Sequence, residues 1–187
     1  MNILLLGPPG AGKGTQGVLL AGRLGLPKFA TGDLLRDAVK RGTPVGLRAK
    51  AVMESGQLVS DEIIMGVVRD ELAKPEAAQG VIFDGVVRTV PQAEGVTRLL
   101  GERGRKMDWV LFFDVPDQEI LARIERRRGI EGRVDDDPIA VATRLKAYRD
   151  QTAPVLEWFK SRGSVQVIPA VGEIEEIAAR VQGIIGS

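Results

Sequence analysis

A glycine-rich turn between an apolar run and a helical pattern is the feature that most constrains the fold of this chain. Residues 3–6 are all apolar, and residues 7–16 read GPPGAGKGTQ. Beyond the turn, apolar residues recur at spacings that suggest one helix face, at Val18, Leu19, Leu20, Ala21 and Leu24. The sequence therefore predicts a buried strand, a glycine turn and a helix, in that order.

The turn between this strand and this helix is suited to bind a polyphosphate. Its glycines let successive backbone N–H groups point toward one place without a Cβ clash, and the helix start adds unpaired donors and a positive dipole end. Lys13 adds a cation at the spacing of a Walker A loop. The candidate nucleotide-phosphate residues are Gly10, Ala11, Gly12, Lys13, Gly14 and Thr15. An ordinary strand-to-helix turn is the alternative interpretation.

Composition excludes several classes of function. The chain has 187 residues, 44% of them hydrophobic, which suits one globular domain, and its formal net charge of +1 argues against a nucleic-acid or membrane-binding surface. It contains no cysteine and no histidine, which excludes disulfides, zinc sites built on those residues and histidine-dependent hydrolase triads. Because the sequence has no leader pattern and no apolar run of about 20 residues, we expect a cytoplasmic protein.

Short apolar runs alternate with helical patterns along the chain. This alternation is typical of an α/β fold in which helices cover both faces of a parallel sheet. Helices fill the intervals between the predicted strands. Those strands cover residues 2–6, 28–30, 81–84, 109–114 and 165–168.

Particular residues predict where helices begin and end. Gly25 is placed to end the first helix. Pro138 is placed to begin a helix behind an aspartate cap, and Pro154 to kink or divide the helix that ends near residue 161. In the last helix, an apolar stripe is predicted to pack on the core. It consists of Ile174, Ile177, Ala178, Val181 and Ile185.

Two segments exceed what five strands and their connecting helices require. Residues 31–59 add helical material after the second strand, and residues 122–136 are dense in arginine. Both follow carboxyl ends of strands, where open α/β sheets bind ligands. In the first segment, Thr31 can cap the following helix, or it can converge with Arg36 on an anion. Residues 56–62 indicate a turn followed by a helix cap.

Residues 83–89 form a polar segment at the end of the third predicted strand. Asp84 is expected to face the phosphate loop, where Mg²⁺-bound water or Lys13 can compensate its charge. Arg88 is a bidentate phosphate donor, and the amide of Gln92 one turn later is able to read a base edge.

A cluster of arginines follows the fourth predicted strand. The cluster consists of Arg123, Arg126, Arg127, Arg128, Arg133 and Arg144, with Asp135 and Asp136 among them. Such a run of charges usually forms a solvated helix face, and Glu125 and Glu131 can pair with part of it.

These segments, in this order, resemble the adenylate kinase family of nucleoside monophosphate kinases. The first has the family's GxPGxGKGTQ pattern, residues 84–93 match DGFPRTxxQA at six positions, and the arginine spacing resembles the short-lid form. The resemblance covers nearly the whole chain. It implies a P-loop NTPase-type three-layer sandwich with a five-stranded parallel sheet. Its parts are a core (residues 1–29, 60–121 and 137–187), an AMP-binding insert (residues 30–59) and a short lid (residues 122–136).

The resemblance also implies an activity, the reversible Mg²⁺-dependent transfer of a phosphoryl group from ATP to AMP, giving two ADP. The expected protein is a monomer that binds ATP, AMP and ADP, but no zinc, nucleic acid or membrane. Gly14 stands where the general Walker A pattern has Ser or Thr to hold Mg²⁺. The metal is therefore expected mainly on substrate phosphates, with Asp84 acting through water.

Each site residue receives a role from the resemblance. ATP is expected to bind Gly10, Ala11, Gly12, Lys13, Gly14, Thr15, Arg123 and Arg127. AMP is expected to bind Thr31, Gly32, Arg36, Met53, Val59, Gly85, Arg88, Gln92, Arg133 and Arg144. The expected catalytic residues are Lys13, Arg88, Arg123, Arg133 and Arg144. Asp135 and Asp136 are expected to orient lid arginines, whereas Arg126 and Arg128 are expected on the surface. Thr31 and Thr89 favour the adenylate branch over pyrimidine relatives.

Val86 and Val87 depart from the family pattern, which has Phe-Pro with a bond that is commonly cis. A cis bond before valine costs about 3 kcal/mol, so we expect a trans bond, a shifted loop and an AMP pocket without its aromatic wall. Two alternatives stay open: a related kinase with another acceptor, and an impaired nucleotide-binding protein, which only Val86 and Val87 suggest. A transcription or GTPase-type switch is disfavoured because its motifs are not apparent.

Overall fold

The structure is a computed structural model that describes residues 1–163 and 165–186. Its strands are β1 (Asn2–Leu6), β2 (Lys28–Ala30), β3 (Val81–Asp84), β4 (Trp109–Asp114) and β5 (Val165–Pro169). Its α-helices are α1 (Lys13–Leu24), α2 (Thr31–Lys40), α3 (Pro44–Glu54), α4 (Asp61–Leu72), α5 (Val90–Gly101), α6 (Asp117–Glu131), α7 (Pro138–Ala147), α8 (Ala153–Lys160) and α9 (Ile174–Ile185). Short 3₁₀ turns cover Pro75–Ala77 and Val134–Asp136, and a π-helical turn covers Tyr148–Thr152.

The five strands form one parallel sheet in the order β2-β3-β1-β4-β5. β1 is central, and its residue Leu5 lies opposite Asp84 of β3 and Leu111 of β4. All carboxyl ends therefore meet at the same edge of the sheet. The predicted fold class and the five strand positions are confirmed, with β5 extending one residue further, to Pro169.

Alternate residues of β1 enter two hydrophobic cores on opposite faces of the sheet. Leu4 packs in the core covered by α4, α5 and α8, whereas Ile3 and Leu5 pack in the core covered by α1, α6 and α9. These three side chains are at most 1% exposed, and burying each contributes about 2 kcal/mol. The two cores make the sheet a fixed base for the loops at its carboxyl edge.

The predicted helix signals act as expected. Gly25 ends α1 in a left-handed conformation, with φ of 64°. The Asp137 carboxylate accepts a hydrogen bond from the N–H of Ile139 and caps α7, which begins at Pro138. The π-helical turn separates α7 from α8 just before Pro154, so this proline divides the helix as predicted.

Two predicted apolar faces are partly wrong. On α1, Val18 and Leu19 are 59% and 45% exposed, because side chains advance about 100° per residue and these two point away from the sheet. On α9, Ile177 and Val181 are buried as predicted, whereas Ile174 is 47% exposed. Ile174 is the first residue of α9. It lies at the carboxyl edge of the sheet and not on the part of the helix that packs on the core.

The two segments outside the sheet take different forms. Residues 31–59 contain α2 and α3, which pack against each other, and a turn at Gly56 (φ 75°) that leads to α4. Residues 122–136 are mostly the second half of α6, followed by a 3₁₀ turn. Gly132 (φ 59°) ends α6, but Gly129 lies within the helix. Only Gly132 therefore interrupts the arginine-rich run.

Candidate active site

A cavity of about 1060 Å³ opens at the carboxyl edge of the sheet. Every residue to which the sequence analysis gives a ligand or catalytic role lines it. These residues are Gly10, Ala11, Gly12, Lys13, Gly14, Thr15, Thr31, Gly32, Arg36, Met53, Val59, Asp84, Gly85, Arg88, Gln92, Arg123, Arg127, Arg133 and Arg144. Arg126, expected only on the surface, lines the cavity as well, although its side chain remains exposed.

Two glycines give the phosphate loop its shape. Gly10 and Gly12 have φ of 81° and 89°, which other residues adopt only with strain. A Cβ on Gly10 would also lie 2.9 Å from Ile124 of α6, so the loop approaches that helix too closely for a side chain. α1 begins directly after Gly12, and the first N–H groups of a helix have no partner within it. These groups are the donors that the loop offers to a phosphate.

Lys13 folds back over the loop that precedes it. Its Nζ donates hydrogen bonds of 2.8 Å to the carbonyl oxygens of Gly7 and Pro8. Burial lowers the pKa of Lys13 to about 8, and the charge of Asp84 offsets this only in part. A phosphate would supply the negative charge that this buried ammonium group lacks.

Asp84 has a partner that the sequence analysis missed. Lys28 Nζ lies 3.5 Å from Asp84 Oδ2 and 3.8 Å from Asp33 Oδ2. Lys28 belongs to β2, whose three residues are KFA. The sequence feature that could have indicated Lys28 is a lysine within a short and otherwise apolar strand that leads to the site.

A metal ion at this site would depend on a nucleotide for most of its ligands. In the described part of the chain, no group of three or more carboxylates is placed to hold one. The Asp84 carboxylate lies next to the phosphate loop, 3.6 Å from where a Cβ on Gly14 would be. One carboxylate, phosphate oxygens and water form a ligand set that Mg²⁺ accepts. The residues therefore fit a Mg²⁺ ion that arrives with the nucleotide.

The loop that carries Arg88 is fixed through its main chain. Thr31 Oγ1 donates to the carbonyl oxygen of Gly85 at 2.9 Å, and Thr152 Oγ1 donates to that of Arg88 at 2.8 Å. Thr31 is the first residue of α2 and does not cap it, so the capping alternative is wrong. Burial lowers the pKa of Arg88 to about 10. Thr152, which had no predicted site role, could not be found from sequence because it is distant along the chain.

Gln92 is held by protein partners on both atoms of its amide. Its Oε1 accepts from the N–H of Arg88, and its Nε2 donates to Asp61 Oδ1, both at 2.7 Å. Thr89 caps α5 and also donates to Asp61 Oδ1, at 3.0 Å. The second hydrogen on Nε2 can still face a base edge. Asp61, predicted only as part of a turn and a helix cap, therefore belongs to the site.

Two aspartates organise the arginines near residues 122–136, as expected. Asp136, whose side chain is fully buried, accepts from Arg127 Nε and Nη2 at 2.8 and 2.5 Å. Arg144 Nη1 lies 3.1 Å from carboxylate oxygens of both Asp135 and Asp136. Asp135 also approaches Arg36 of α2, at 3.7 Å. This last ion pair links the two segments that lie outside the sheet.

The pKa values of this cluster reflect its pairing. Burial alone would raise the pKa of Asp136, but the hydrogen bond from Arg127 and the charges of Arg127 and Arg144 lower it below its ordinary value. Burial alone would lower the pKa of Arg127, but the hydrogen bond to Asp136 raises this pKa above its ordinary value. The pair formed by Arg127 and Asp136 is therefore held in its charged form.

The other two clamp candidates are paired with acids on their own segments. Arg123 lies 2.7 Å from Glu119 and donates to the carbonyl oxygen of Ala170 at 2.9 Å. Arg133 lies 2.5 Å from Glu131. Both arginines line the cavity, where a phosphate can replace the carboxylate partner.

Val86 and Val87 close one wall of the cavity. Each is 1% exposed, and both pack in the core beneath α4 and α5. None of the peptide bonds that the structure describes is cis, so the bond before Val87 is trans, as expected. Met53 and Val59 line the same cavity. Aliphatic side chains therefore stand where the family pattern has an aromatic ring.

The sequence analysis missed an apolar part of the cavity. Ile130 of α6 lines it together with Val171, Ile174 and Ile177 from the β5–α9 junction. Ile130 and Ile174 are 78% and 47% exposed, and such aliphatic surface suits a flat ring. The available signal was an apolar pair, Ala170-Val171, directly after a strand's carboxyl end.

A parallel α/β sheet whose central strand leads into a glycine-rich phosphate loop, facing a cavity rich in arginine, defines a kinase-like protein of the P-loop class. The family model described as adenylate kinase matches residues 5–164. The chain belongs to the adenylate kinase family.

Individual relatives match over nearly the full length of this chain. The adenylate kinase of Gemmatimonas aurantiaca is 47% identical over 207 aligned residues, which cover 97% of each protein. The adenylate kinase of Beijerinckia indica subsp. indica is 45% identical and covers 99% of each protein. That of Thermus thermophilus is also 45% identical, over 98% of this chain and 96% of its own length. These similarities favour neither a kinase with another acceptor nor an impaired nucleotide-binding protein.

No helix in the described part of the chain is both long and apolar enough to cross a membrane.

Proposed function

We propose that this protein transfers a phosphoryl group reversibly from ATP to AMP, giving two molecules of ADP. One observation carries the proposal: the phosphate loop and arginines from three separate segments line one cavity. The reaction needs such an arrangement, because it joins two strongly charged phosphate chains. The names of the similar proteins also support it.

On the donor side, the loop amides bind the β-phosphate of ATP and Lys13 approaches the γ-phosphate. Lys13 exchanges its bonds to two backbone carbonyls for this contact. Arg123 and Arg127 bind phosphate oxygens from the other side. The adenine of ATP packs on the aliphatic surface formed by Ile130, Val171, Ile174 and Ile177.

On the acceptor side, Arg36 and Arg88 bind the phosphate of AMP. Gly32 and Gly85 border this position, and their lack of a side chain leaves both guanidinium groups close to the backbone. Thr31, Met53, Val59 and Gln92 are proposed to surround the AMP base and sugar. The identities of Thr31, Thr89 and Gln92 support an adenylate acceptor. Thr31, Met53 and Val59 belong to the proposed insert, residues 30–59, whereas Gln92 belongs to α5.

Catalysis is proposed to rest on position and charge. A phosphate oxygen of AMP forms a bond to the γ-phosphorus of ATP as the bond to the β–γ bridging oxygen breaks. Arg133 and Arg144 join Arg88, Arg123 and Lys13 in neutralising the oxygens of the group in transfer. No general base is required, because the AMP phosphate is already deprotonated at neutral pH. A chain without histidine can therefore carry out this reaction.

Asp84 would hold a Mg²⁺ ion that arrives with ATP through a water molecule, and the ion would supply further charge neutralisation. Movement of the lid (residues 122–136) and of the insert excludes water from the two phosphates during transfer. We expect the protein to act as a cytoplasmic monomer without zinc.

Measurement of ADP formation from ATP and AMP tests the proposal directly. Lys13→Met should lower turnover by about 10²-fold or more, with little change in the midpoint of thermal unfolding. Lys160→Met, at an exposed lysine paired with Glu157, is the matched control and should leave turnover unchanged. Wild-type protein that forms no ADP from these substrates would contradict the proposed function. Unchanged turnover in Lys13→Met would show that Lys13 does not take part in the reaction.

A further inference from the structure

Lys28 lines the cavity, yet the proposed reaction gives it no role. Its side chain is 15% exposed, and that of its partner Asp84 is 13% exposed. The two charged atoms lie 3.5 Å apart, and Asp33 Oδ2 lies 3.8 Å from the same ammonium group. An ion pair that is largely removed from water is screened less than one on the surface. The ammonium group of Lys28 therefore attracts the Asp84 carboxylate with little screening by water.

A glycine on α1 makes room for this lysine. A Cβ on Gly17 would lie 2.9 Å from Lys28 Cδ and 3.0 Å from Leu5 Cδ1. Gly17 is buried inside the helix, where glycine disfavours helix formation. Its presence there has a packing reason, since any side chain would displace the lysine stem from its path between α1 and β2.

Asp84 is the carboxylate beside the phosphate loop, and Lys28 rather than Lys13 is its ion-pair partner. Lys13 Nζ is instead engaged by the carbonyl oxygens of Gly7 and Pro8. Position 14 has no side chain, so nothing from that residue separates Asp84 from the loop. A cation that arrives with a nucleotide therefore competes with Lys28 for the same carboxylate.

We propose that Lys28 is a positioning residue that neutralises Asp84 when no divalent cation is present, and so sets how strongly nucleotide binding depends on Mg²⁺. The inference rests on the proposed function, since it takes Asp84 to face the metal carried by ATP. With Lys28 in place, Asp84 repels metal-free ATP less and attracts Mg²⁺ less. Without Lys28, the uncompensated carboxylate repels metal-free ATP more strongly and attracts Mg²⁺ more strongly.

Calorimetric titration with ATP, in Mg²⁺ and again in EDTA, tests this inference through binding rather than turnover. The measured quantity is the ratio of the two affinities. In Lys28→Gln the ratio should rise about three- to tenfold above that of the wild type, the range expected from one partly buried ion pair. Lys28→Arg keeps the charge and should move the ratio less. Lys146→Gln, at a lysine paired with Asp150 outside the cavity, should not change it.

Gly17→Ala provides a second, independent route to the same effect. The added methyl group displaces Lys28 from Asp84, so the ratio should move in the direction seen for Lys28→Gln. In a protein that already carries Lys28→Gln, Gly17→Ala should cause no further change in the ratio, because the ammonium group that pairs with Asp84 is already absent.

Other outcomes would overturn the inference. A ratio that stays unchanged in Lys28→Gln means that the ion pair does not influence the metal. If Lys28→Gln weakens ATP binding equally with and without Mg²⁺, Lys28 acts as a phosphate ligand instead. Failure of the wild type to bind ATP under either condition would reject the proposed function itself, a result distinct from both of these.

Discussion

At the scale of single residues, Lys13 illustrates how a buried charge can be kept ready for a ligand. Its ammonium group is satisfied by two backbone carbonyl oxygens, so it is held in one place before any phosphate arrives. Burial nevertheless lowers its pKa from 10.5 to about 8. A bound phosphate reverses that shift, because a nearby negative charge favours the ammonium form.

The shift in the pKa of Lys13 predicts that nucleotide binding takes up a proton at alkaline pH. Near pH 9, Lys13 is largely neutral in the free protein, and the phosphate restores its proton. Below about pH 7 the ammonium is already formed, so binding takes up none through this group. Calorimetric titration at pH 9 in buffers of different ionisation enthalpy measures the uptake. Lys13→Met should abolish it, and equal enthalpies in all buffers for the wild type would contradict the prediction.

At the scale of secondary-structure elements, the π-helical turn Tyr148–Thr152 has a consequence for the site. The turn lies between α7, which carries Arg144, and α8, and it presents Thr152 to the main chain of Arg88. A π-helical turn is less regular than an α-helix and frequently occurs at functional sites. Here it links the helix that carries Arg144 to the loop that carries Arg88.

Removal of the Thr152 hydroxyl should therefore weaken AMP binding. Thr152→Val should raise the dissociation constant for AMP about five- to tenfold and lower the free energy of unfolding by about 1 kcal/mol, because the Arg88 carbonyl loses its donor. Equilibrium titration and urea unfolding measure the two effects.

Two further variants distinguish a positioning role from loss of stability alone. Thr152→Ser retains the donor and should restore AMP affinity. Thr97→Val removes a hydroxyl that donates only to Ala93 of its own helix, and should leave AMP affinity unchanged. AMP affinity that is unaffected in Thr152→Val would show that the turn does not position Arg88.

Asp136, which pairs with Arg127 and Arg144, should contribute to stability as well. Asp136→Asn leaves the buried ends of Arg127 and Arg144 without their full counter-charge, and should lower the free energy of unfolding by about 2–3 kcal/mol at pH 7. The pKa of Asp136 is lowered in the folded state, so this contribution is present above about 3.8 and is lost as pH falls through the lowered folded value.

Urea unfolding at pH 7 and again near pH 3 measures the contribution of Asp136. The difference between wild type and variant should be smaller at the lower pH. Asp150→Asn, at an exposed aspartate paired with Lys146, should change stability little at either pH. A difference that grows on acidification would contradict the assigned cause.

Element boundaries could be predicted where one residue determines them, whereas long-range contacts could not. Gly25 and Pro138 mark helix ends through their own backbone conformations. The bonds from Gln92 to Asp61 and from Thr152 to Arg88 join residues 31 and 64 positions apart. Only the tertiary fold brings such residues together, so no local pattern indicates them.

At the scale of the whole molecule, a nearly neutral chain encloses a cationic cavity. The formal net charge is +1, but the cavity is lined by nine basic and six acidic side chains. Local charge in a cleft attracts oppositely charged ligands whatever the overall charge is. Composition alone could not reveal this, because it averages over surface and cavity.

The cationic cavity predicts that AMP association depends on salt. Raising the ionic strength from about 0.05 M to about 0.5 M should slow AMP association several-fold, because the attraction is screened. Stopped-flow competition against a fluorescent nucleotide measures the rate. Adenosine, which has no phosphate, is the matched control and should show little dependence on salt. Equal salt dependence for the two ligands would contradict electrostatic attraction.

The sheet was predictable from sequence more completely than the site. Short apolar runs gave all five strands, since strands of a covered parallel sheet are apolar on both faces. The partner of Asp84 was not predictable, because Lys28 lies 56 positions away and reaches it only through a gap that Gly17 leaves. The apolar surface around Ile174 was assigned to the core for a related reason: periodicity does not tell a helix's first turn from its middle.

The central place of β1 in the sheet also bears on how the chain is made. Asn2 pairs with Val81, and Ile3 pairs with Trp109. β1 leaves the ribosome before the other four strands. It can therefore pair with both of its neighbours only after more than half of the polypeptide has emerged. Until then its edges are open to pairing with other chains. Truncated products that stop before β4 should accordingly be prone to aggregate and to require chaperones.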